Sequence, residues 1–314
     1  MTDTKPPSNP AQSVQTAAQI QRAARCMAPL AGWWDANARD FPWRFGRTSP
    51  WGVLVSEVMS QQTPMQRVLP HWTAWMREWP TPAALAAAST ADVITAWGHL
   101  GYPRRALRLR ECAESICKDW NGDVPRDYRD LVALPGVGDY TASAVMSFAF
   151  GERVPVIDTN IRRVLARALE GRESLGGSAT AHERRLIAAC LPAGKEQSVV
   201  WNQSVMELGA VVCTAAHPAC ESCPIAQECA FLAAGRPGLG QRRTRPRQRF
   251  AGTDRQVRGI VLKALREAGP GAKLDYRHVR ALWDDAVQLD ACLASLDDDG
   301  LIVLGPEKSV SLPQ

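Results

Sequence analysis

Apolar residues recur at three- and four-residue spacing along most of the chain between residues 17 and 234. This spacing is typical of amphipathic helices with one buried face. The clearest segments are 65–79, 91–100, 105–120, 142–150, 160–169, 182–191 and 201–213. Ser89, with Asp92 three residues later, also predicts a helix start. Because alternating strand patterns are nearly absent, we predict a mainly helical body.

The composition changes after this body. Residues 235–254 are rich in Gly, Pro and Arg, with five arginines between 242 and 249, and predict a basic linker. Segments 255–268, 276–283 and 287–300 predict three helices, and 301–312 predicts a hairpin around Gly305 and Pro306. This is the layout of a winged helix, which binds DNA in some proteins and acts as an interaction domain in others. We therefore predict a disordered tail (1–16), a body (17–234), a linker (235–254) and a winged-helix-like domain (255–314).

Net charge and targeting signals bear on the binding partner and on the cellular compartment. The formal net charge of +5 is compatible with a polyanionic partner, although it is weak evidence alone. The first residues are polar and Pro-rich, with no apolar segment of the kind found in signal peptides. We therefore expect a reducing, cytoplasmic setting, where clustered cysteines bind metal more often than they form disulfides.

Four of the nine cysteines are clustered as Cys-x6-Cys-x2-Cys-x5-Cys, namely Cys213, Cys220, Cys223 and Cys229. Four thiolates within so short a segment can surround one compact centre, either a tetrahedral Zn²⁺ or a cubane 4Fe-4S cluster. The spacing alone does not separate these two. The other five cysteines are expected to be small buried apolar residues.

Glu57 lies inside the apolar segment VLVSEVMSQQTP (53–64). Two interpretations stay open from this segment alone. The side chain could point to water from an ordinary helix, since Glu is rarely buried without a partner. It could instead be buried, and burial among apolar groups pushes the pKa of a carboxyl upward towards the range of a general acid.

Two further segments have the chemistry of helix starts. In LPGVGDYTASAV (134–145), Gly136 and Gly138 bracket Val137 in a turn before a helix. Such a turn is either an ordinary helix connection or a hairpin whose amides hold a phosphate. Asp158 precedes the helix 160–169, where it would cap free amides. We expect those amides to keep its carboxylate ionised.

In their order, SEVMSQQT (56–63), LGY (100–102), LPGVGDYTASAV, VIDTNIRRV (156–164) and the four cysteines resemble the helix-hairpin-helix DNA glycosylase superfamily, endonuclease III-like branch. The resemblance runs from about Trp33 to Cys229. It implies a 4Fe-4S cluster on the four cysteines. It also implies a two-lobed body, with a six-helix lobe at about 50–155 and a cluster lobe from 17–49 and 156–234.

Within this branch the chain resembles adenine DNA glycosylases of the MutY type, in their short form. Glu57 stands with the Gln61-Gln62 pair, as in that group, and Tyr140 occupies the place of a strand-cleaving lysine. The resemblance therefore implies a monofunctional enzyme. The segments FPWR (41–44) and WNQSVMELGA (201–210) are similar as well. They imply an adenine pocket lined by Trp43, Arg44 and Glu207.

The resemblance also implies a role for each matching residue. Glu57 would protonate the adenine, Asp158 would stabilise the sugar cation, and Tyr140 and Asn160 would orient the two carboxyls. The DNA-contacting positions would be Gln61, Gln62, Leu100 and Tyr102 near the opposite base, and Gly136, Val137 and Gly138 at a phosphate. The implied partner is double-stranded DNA with a mispaired adenine, bound by a monomer associated with the nucleoid.

The chain departs from the family pattern in three places. Residues 250–314 are too short for the Nudix-like domain that helps long relatives recognise 8-oxoguanine. Pro103 stands where many relatives have a second Tyr, and Thr159 replaces a frequent Gly. Two alternatives stay open: a thymine or uracil mismatch glycosylase of the same fold, and a non-catalytic iron-sulfur DNA-binding protein.

Overall fold

The computed structural model of the chain describes residues 10–174, 176–241, 250–269 and 271–314. From residue 10 to residue 241 the regular elements are α-helices. They are α1 (Pro10–Asn37), α2 (Pro50–Ser60), α3 (Met65–Glu78), α4 (Pro82–Ala86), α5 (Thr90–Trp97), α6 (Arg104–Trp120), α7 (Tyr128–Ala133), α8 (Asp139–Phe148), α9 (Thr159–Glu170), α10 (Ala181–Ala189), α11 (Lys195–Val211) and α12 (Ala230–Ala233). Short 3-10 turns cover Cys220–Ser222 and Ala226–Glu228.

The helical periodicity predicted this part of the fold correctly. Each of the seven segments singled out in the sequence lies on a helix, and Ser89 caps α5 by accepting a hydrogen bond from the amide of Asp92. Helix α1 begins at Pro10, earlier than the predicted start at residue 17. Residues 1–9 of the predicted tail and residues 242–249 of the basic linker lie outside the described residues.

The chain divides into two compact units. The first consists of Met1–Gly46 and Asp139–Thr244, and the second of Arg47–Gly138 and Arg245–Gln314. The C-terminal residues thus group with the 47–138 segment, and α8 groups with the cysteine-bearing part of the chain. The lobe boundaries drawn from the sequence stay a prediction.

The core of the first unit forms where α1, α9 and α11 pack together. Apolar residues of α9 such as Val164 and Leu165 meet Val205 and Leu208 of α11 in one buried cluster. Gly209 lets these two helices approach closely, because a Cβ atom there would lie 2.6 Å from the Cβ of Asn160. This contact places the start of α9, which follows Asp158, against the last turn of α11.

In the second unit, α2 is buried along its length from Trp51 to Met59. Ser49 caps its first turn by accepting from the amide of Gly52, and Pro50 occupies the first helical position. The indole of Trp72 donates to the carbonyl of Gly52 at 2.9 Å. These contacts fix the helix that carries Glu57.

The C-terminal residues form a small helical domain with a three-stranded sheet. Its elements are α13 (Asp254–Ala268), β1 (Lys273–Leu274), α14 (Tyr276–Arg280), α15 (Ala286–Asp298), β2 (Val303–Leu304) and β3 (Val310–Ser311). The strands are antiparallel in the order β1-β3-β2. The three predicted helices and the hairpin are confirmed. Strand β1 was not predicted, because a strand of two residues leaves no pattern in the sequence.

This domain shares its core with the helices before it. Val257, Val261 and Leu289 pack in one buried cluster with Ala91 and Ile94 of α5. The C-terminal domain is therefore docked on α5 inside the second unit, and its basic helix α13 faces the chain around residue 100.

Among the described helices, none combines the length and apolar character that crossing a membrane requires.

The close approach at Gly209 predicts a specific cost for Gly209→Ala. The added methyl would meet Asn160 backbone atoms at 3.0 Å, so α11 has to shift away from α9. We expect a loss of roughly 1–3 kcal/mol in the free energy of unfolding. The matched control is Gly259→Ala in α13, where nothing lies within 4 Å and helix propensity favours Ala by about 1 kcal/mol. Urea unfolding of both variants measures the difference, and equal stabilities would contradict the packing described here.

Candidate active site and cysteine cluster

Glu57 lies in the last turns of α2 and is only 6% exposed. Of the two interpretations left open by the sequence, the surface glutamate is excluded. Its neighbours Val53, Leu54 and Val58 are buried with it. The carboxyl is therefore held inside the second unit and not at its surface.

Arg105 of α6 holds the chain that follows Glu57. Its Nη1 donates to the carbonyls of Val58, Met59 and Gln61 at 2.9, 3.0 and 2.6 Å. These carbonyls belong to the end of α2, where backbone acceptors lack helical partners. Burial lowers the pKa of Arg105 to about 10. One guanidinium thus satisfies the end of the helix on which Glu57 lies.

The other nitrogen of Arg105 reaches a second segment. Its Nη2 donates to Thr63 Oγ1 at 3.1 Å and to the carbonyl of Gly101 at 3.0 Å. The guanidinium also lies over the rings of Trp97 and Tyr102, at 5.2 and 5.5 Å from their centroids. The Gln61-Gln62 segment and the LGY segment, separate in sequence, are therefore joined by one side chain. Arg105 was missed in the sequence because its partners at the end of α2 lie more than forty residues away.

The predicted wedge residues differ in exposure. Gln62 and Tyr102 both have left-handed backbones, with φ of 56° and 48°, and both are exposed. Such φ values are strained for residues other than glycine. Tyr102 is 46% exposed, whereas Leu100 is only 2% exposed. The surface presented to a ligand is therefore made by Gln62 and Tyr102, and Leu100 packs beneath it.

The predicted hairpin depends on one of its two glycines for backbone conformation. Gly136 has φ of +79°, and a Cβ there would lie 3.0 Å from the Cβ of Arg108. Gly138 has no such φ and faces open space. Val137 is buried, and its amide donates to the carbonyl of Leu134 at 3.1 Å. The exposed backbone at Gly136 and Gly138 is free of side chains, as close approach of another backbone requires.

Asp158 is the N-cap of α9, as predicted. Its Oδ1 accepts from the amide of Ile161 at 2.6 Å, and its Oδ2 accepts from Asn160 Nδ2 at 2.9 Å. Burial nevertheless raises its pKa, although these hydrogen bonds and the charge of Arg163 act in the opposite direction. Loss of solvent therefore outweighs the cap in setting the direction of the pKa shift, and the ionised carboxylate stays a prediction.

Asn160 and Arg163 extend this arrangement to the cysteine segment. Asn160 Oδ1 accepts from Arg163 Nη2 at 2.8 Å. The same guanidinium donates to the carbonyl of Gly209 at 2.6 Å and to that of Cys213 at 2.8 Å. The position of the Asp158 carboxylate is thus tied, through two side chains, to the backbone at the first cysteine.

Tyr140 lies in the first turn of α8 and is half-buried. It packs against the same apolar cluster as Ile161, the residue whose amide donates a hydrogen bond to the Asp158 carboxylate. The structure therefore brings Asp158, Asn160 and Tyr140 into one unit.

The predicted pocket residues Trp43, Arg44 and Glu207 are also buried in the first unit. Glu207 accepts from Arg44 Nη2 at 2.7 Å and from Arg39 Nε at 2.6 Å. Burial acts to raise the pKa of Glu207, but the hydrogen bonds from the two arginines outweigh it and lower the pKa to about 2. Arg39 was missed in the sequence, where it stands just before FPWR.

Aromatic rings complete this cluster. Trp43 stacks on Phe41 with centroids 4.8 Å apart and planes within 4° of parallel. The guanidinium of Arg44 lies over the rings of Phe41 and Trp34 at 5.1 and 5.0 Å. The stacked pair is therefore packed against the guanidinium of Arg44, which Glu207 holds in place.

The four clustered cysteines line one small cavity with Arg167, Phe231 and neighbouring residues. Arg167 Nη1 lies 3.4 Å from Cys213 Sγ and donates to the carbonyl of Thr214 at 2.7 Å. Glu173 pairs with the same guanidinium at 2.7 Å. Arg167 of α9 therefore fixes the start of the cysteine segment at Cys213 and Thr214.

The donor set fits an iron-sulfur cluster, since four thiols from one short segment line the same cavity. Within the described residues, no three His, Cys, Asp or Glu side chains meet the geometry for a single metal ion. Of the remaining cysteines, Cys26, Cys112, Cys190 and Cys292 are buried as expected, and Cys117 is half-buried.

Known proteins are similar to this chain in sequence and in fold. The model of the HhH-GPD superfamily base excision DNA repair proteins matches residues 55–186. Adenine DNA glycosylase from Mycobacterium tuberculosis (strain CDC 1551 / Oshkosh) is 48% identical over 287 residues, covering 90% of this chain and 92% of that protein. The protein of the same name from Mycolicibacterium smegmatis is 47% identical and covers 87% and 91%. The solved structure of a thermostable thymine-DNA glycosylase has a TM-score of 0.61 and 26% identity, covering 69% and 99%.

The helical body, its hairpin and the matching family model define a base excision DNA repair protein of the HhH-GPD superfamily. Identity near one half over nine-tenths of the chain is more specific. This chain belongs to the adenine DNA glycosylase family, and the resemblance drawn from its motifs is confirmed.

Arg163 gives a prediction for pH dependence. Its charge lowers the pKa of Asp158, so Arg163→Gln should raise that pKa further. If the ionised carboxylate is the active form, activity is lost as pH falls through its pKa in the folded protein. The acid limb of the single-turnover rate against pH should therefore move to higher pH.

Arg163→Lys is the matched control, because it keeps the charge while changing the hydrogen bonds. Its acid limb should stay closer to that of the unchanged protein. A uniform fall in rate with an unmoved acid limb in Arg163→Gln would show that Arg163 does not act on Asp158 electrostatically.

Glu207 predicts a stability effect with a defined pH window. Its pKa is about 2 in the folded protein against an ordinary value of 4.5, so its contribution is fully present above pH 4.5 and is lost progressively as the pH falls from 4.5 to about 2. Glu207→Gln should lower the free energy of unfolding by roughly 3–5 kcal/mol, since Arg44 stays buried without its anion. The deficit in urea unfolding should be constant from pH 5.5 to pH 8. The exposed Glu196→Gln on the same helix serves as control, and a deficit that varies across that window would show that Glu207 titrates there.

Proposed function

We propose that this chain hydrolyses the N-glycosidic bond of adenine mispaired with 8-oxoguanine or guanine in double-stranded DNA, and leaves the strand uncut. The observation that carries the proposal is the fixed carboxylate of Asp158, held by the Ile161 amide and Asn160 at the start of α9. A carboxylate fixed in direction is suited to a sugar cation. The identity to the adenine glycosylases supports adenine as the base.

A base inside a duplex is out of reach, so the enzyme has to flip the adenine out. Unstacking costs roughly a few kcal/mol, and least at a mismatch. The exposed Gln62 and Tyr102 are the side chains that would fill the gap near the opposite base. Arg105 keeps both on one rigid surface. The amides at Gly136 and Gly138 would hold a backbone phosphate without reading sequence.

Adenine leaves readily only when protonated. Glu57, in its protonated form, would donate to N7 of the flipped base. Its burial among apolar residues of α2 supports this form. Buried glutamates act as general acids in this way near neutral pH. Trp43 and Arg44, positioned by Glu207, would bound the base.

Cleavage of the C1′–N9 bond leaves an oxocarbenium-like sugar. The ionised Asp158 would stabilise this cation, or bond to C1′ transiently, on one face of the sugar. Glu57, now a carboxylate, would accept a proton from the attacking water. The products are adenine and an abasic site, and the two carboxyls act as in retaining glycosidases. Asn160 holds the orientation of the Asp158 carboxylate through its hydrogen bond. Tyr140 occupies the position where strand cleavage would require a lysine that forms a Schiff base.

Cys213, Cys220, Cys223 and Cys229 would hold a 4Fe-4S cluster. When bound, the cluster supplies a cross-link of the segment that follows α11. Arg163 and Arg167 connect that segment to α9 through the carbonyls of Cys213 and Thr214.

A second candidate is a thymine or uracil mismatch glycosylase. The likeness to the thymine-DNA glycosylase structure favours it, with a TM-score of 0.61 and 26% identity. The higher identity to the adenine glycosylases favours the first proposal. The two differ in which base is released, so one substrate panel separates them.

Purified protein should release adenine from a duplex with adenine opposite 8-oxoguanine, and the strand should break only after alkali. Glu57→Gln and Asp158→Asn should each lower the single-turnover rate by about 10²–10⁴-fold, because each removes one carboxyl from the chemistry. High-performance liquid chromatography of released bases measures the rate.

Duplexes with G·T and G·U run beside the adenine mispairs. Release of thymine or uracil but not adenine would establish the second candidate instead. Full activity in both carboxyl variants would refute the assignment of the site.

A further inference from the structure

A groove of about 670 Å³ opens within the second unit, where the loop 98–104 faces helix α13. Its charged lining consists of five arginines and one aspartate: Arg67, Arg104, Arg255, Arg258, Arg266 and Asp299. Tyr102 and Phe250 add exposed aromatic rings, 46% and 56% accessible. The groove is therefore both strongly positive and aromatic.

The pattern of α13 explains the positive wall. Arg255, Arg258, Leu262 and Arg266 are spaced by three and four residues, so they lie on one face of the helix. Gly259 lies on the same face and lines the groove. The adjacent face carries Val257, Val261 and Leu265 into the core, and Leu262 is buried at the boundary between the two faces. The arginines are thus presented together by the fold rather than scattered over the surface.

Three of the five arginines have no acidic partner in the described part of the chain. Asp299 pairs with Arg104 at 3.1 Å and with Arg258 at 2.5 Å. Described residues form no salt bridge with Arg67, Arg255 or Arg266. Burial lowers the pKa of Arg266, a sign that its guanidinium is partly removed from water. A desolvated cation without an anion is costly, and an incoming anion would relieve that cost.

The groove is continuous with the exposed tyrosine of the LGY segment. The guanidinium of Arg255 lies 5.4 Å from the ring centroid of Tyr102 and 5.8 Å from that of Phe250. Arg105 lies 5.5 Å from the Tyr102 ring centroid as well. A ligand that meets Tyr102 therefore reaches the arginines of α13 without a break.

We propose that this groove is a second DNA-binding surface, which takes the phosphodiester backbone of the strand next to Tyr102. The proposal rests on the proposed function, since it places Tyr102 against a duplex. Guanidinium groups match phosphate oxygens in planar, two-pronged hydrogen bonds, and aromatic rings tolerate any base or sugar. The C-terminal domain thereby adds affinity that does not depend on sequence.

Gly259 permits a test that leaves every side chain of the groove in place. A Cβ at this position meets nothing within 4 Å, so a side chain fits. Gly259→Glu introduces a negative charge into the groove, and Gly259→Gln introduces the same shape without the charge. The probe is a fluorescent duplex with a tetrahydrofuran abasic-site analogue opposite 8-oxoguanine, which cannot be cleaved. Kd is measured by anisotropy from 50 to 300 mM KCl.

We expect Gly259→Glu to bind about tenfold more weakly than Gly259→Gln at 100 mM KCl. The double variant Arg255→Gln/Arg266→Gln should lower the slope of log K against log salt by about 2, because each phosphate that an arginine neutralises adds about 0.9 to that slope. Lys263→Gln is its control, because Lys263 lies on α13 outside the groove lining and pairs with Glu267. Its slope should stay within about 0.3 of that of the unchanged protein.

Equal affinities and slopes for Gly259→Glu and Gly259→Gln would overturn the proposal. So would a change of oligomeric state or melting temperature in these variants with unaltered DNA binding, because the groove would then hold protein. Base release is assayed separately in the unchanged protein. If the unchanged protein releases adenine but the Gly259 variants bind DNA equally well, only this inference is refuted. If Gly259→Glu binds DNA more weakly but the unchanged protein releases no adenine, only the proposed function is refuted.

Discussion

The buried charges of the candidate site are held where fixed partners replace water, and that requirement organises the segments that bear the chemistry. Removing a guanidinium or carboxylate from water costs several kcal/mol unless hydrogen bonds compensate. Arg105 meets the requirement with backbone carbonyls of two loops, and Arg163 meets it with carbonyls at the end of α11. In each case the satisfied arginine also fixes irregular backbone that no helix would hold.

The same requirement explains why burial has opposite outcomes for the pKa values of Asp158 and Glu207. Asp158 has an amide, an amide side chain and a nearby cation around it, and still its pKa is raised by burial. Glu57 lies among the apolar residues of α2. Glu207 shows the opposite outcome, because two arginines are close enough to outweigh its burial. Burial is common to all three, and for Asp158 and Glu207 the partners decide in which direction the pKa moves.

Much of this arrangement could be read from the sequence, because its causes are local. Helix periodicity placed α3, α5, α6, α9 and α11, and the cap at Asp158 follows from a residue and the helix directly after it. Arg105 and Arg163 also bind backbone carbonyls some forty to fifty residues away, and no local pattern announces those contacts. The raised pKa of Asp158 was missed for the same reason, since burial depends on the whole fold. The groove along α13 needed the docking of the C-terminal domain on α5.

In the proposed mechanism Asp158 occupies one face of the sugar, while water attacks C1′ from the face that the adenine has left. Single-turnover base release in a water–methanol mixture tests this directly, because methanol can replace water as nucleophile. Nuclear magnetic resonance of the methyl glycoside formed at C1′ then reports its configuration. The mechanism predicts retention, the β anomer of the starting nucleoside. An α anomer, or an equal mixture of both, would contradict it.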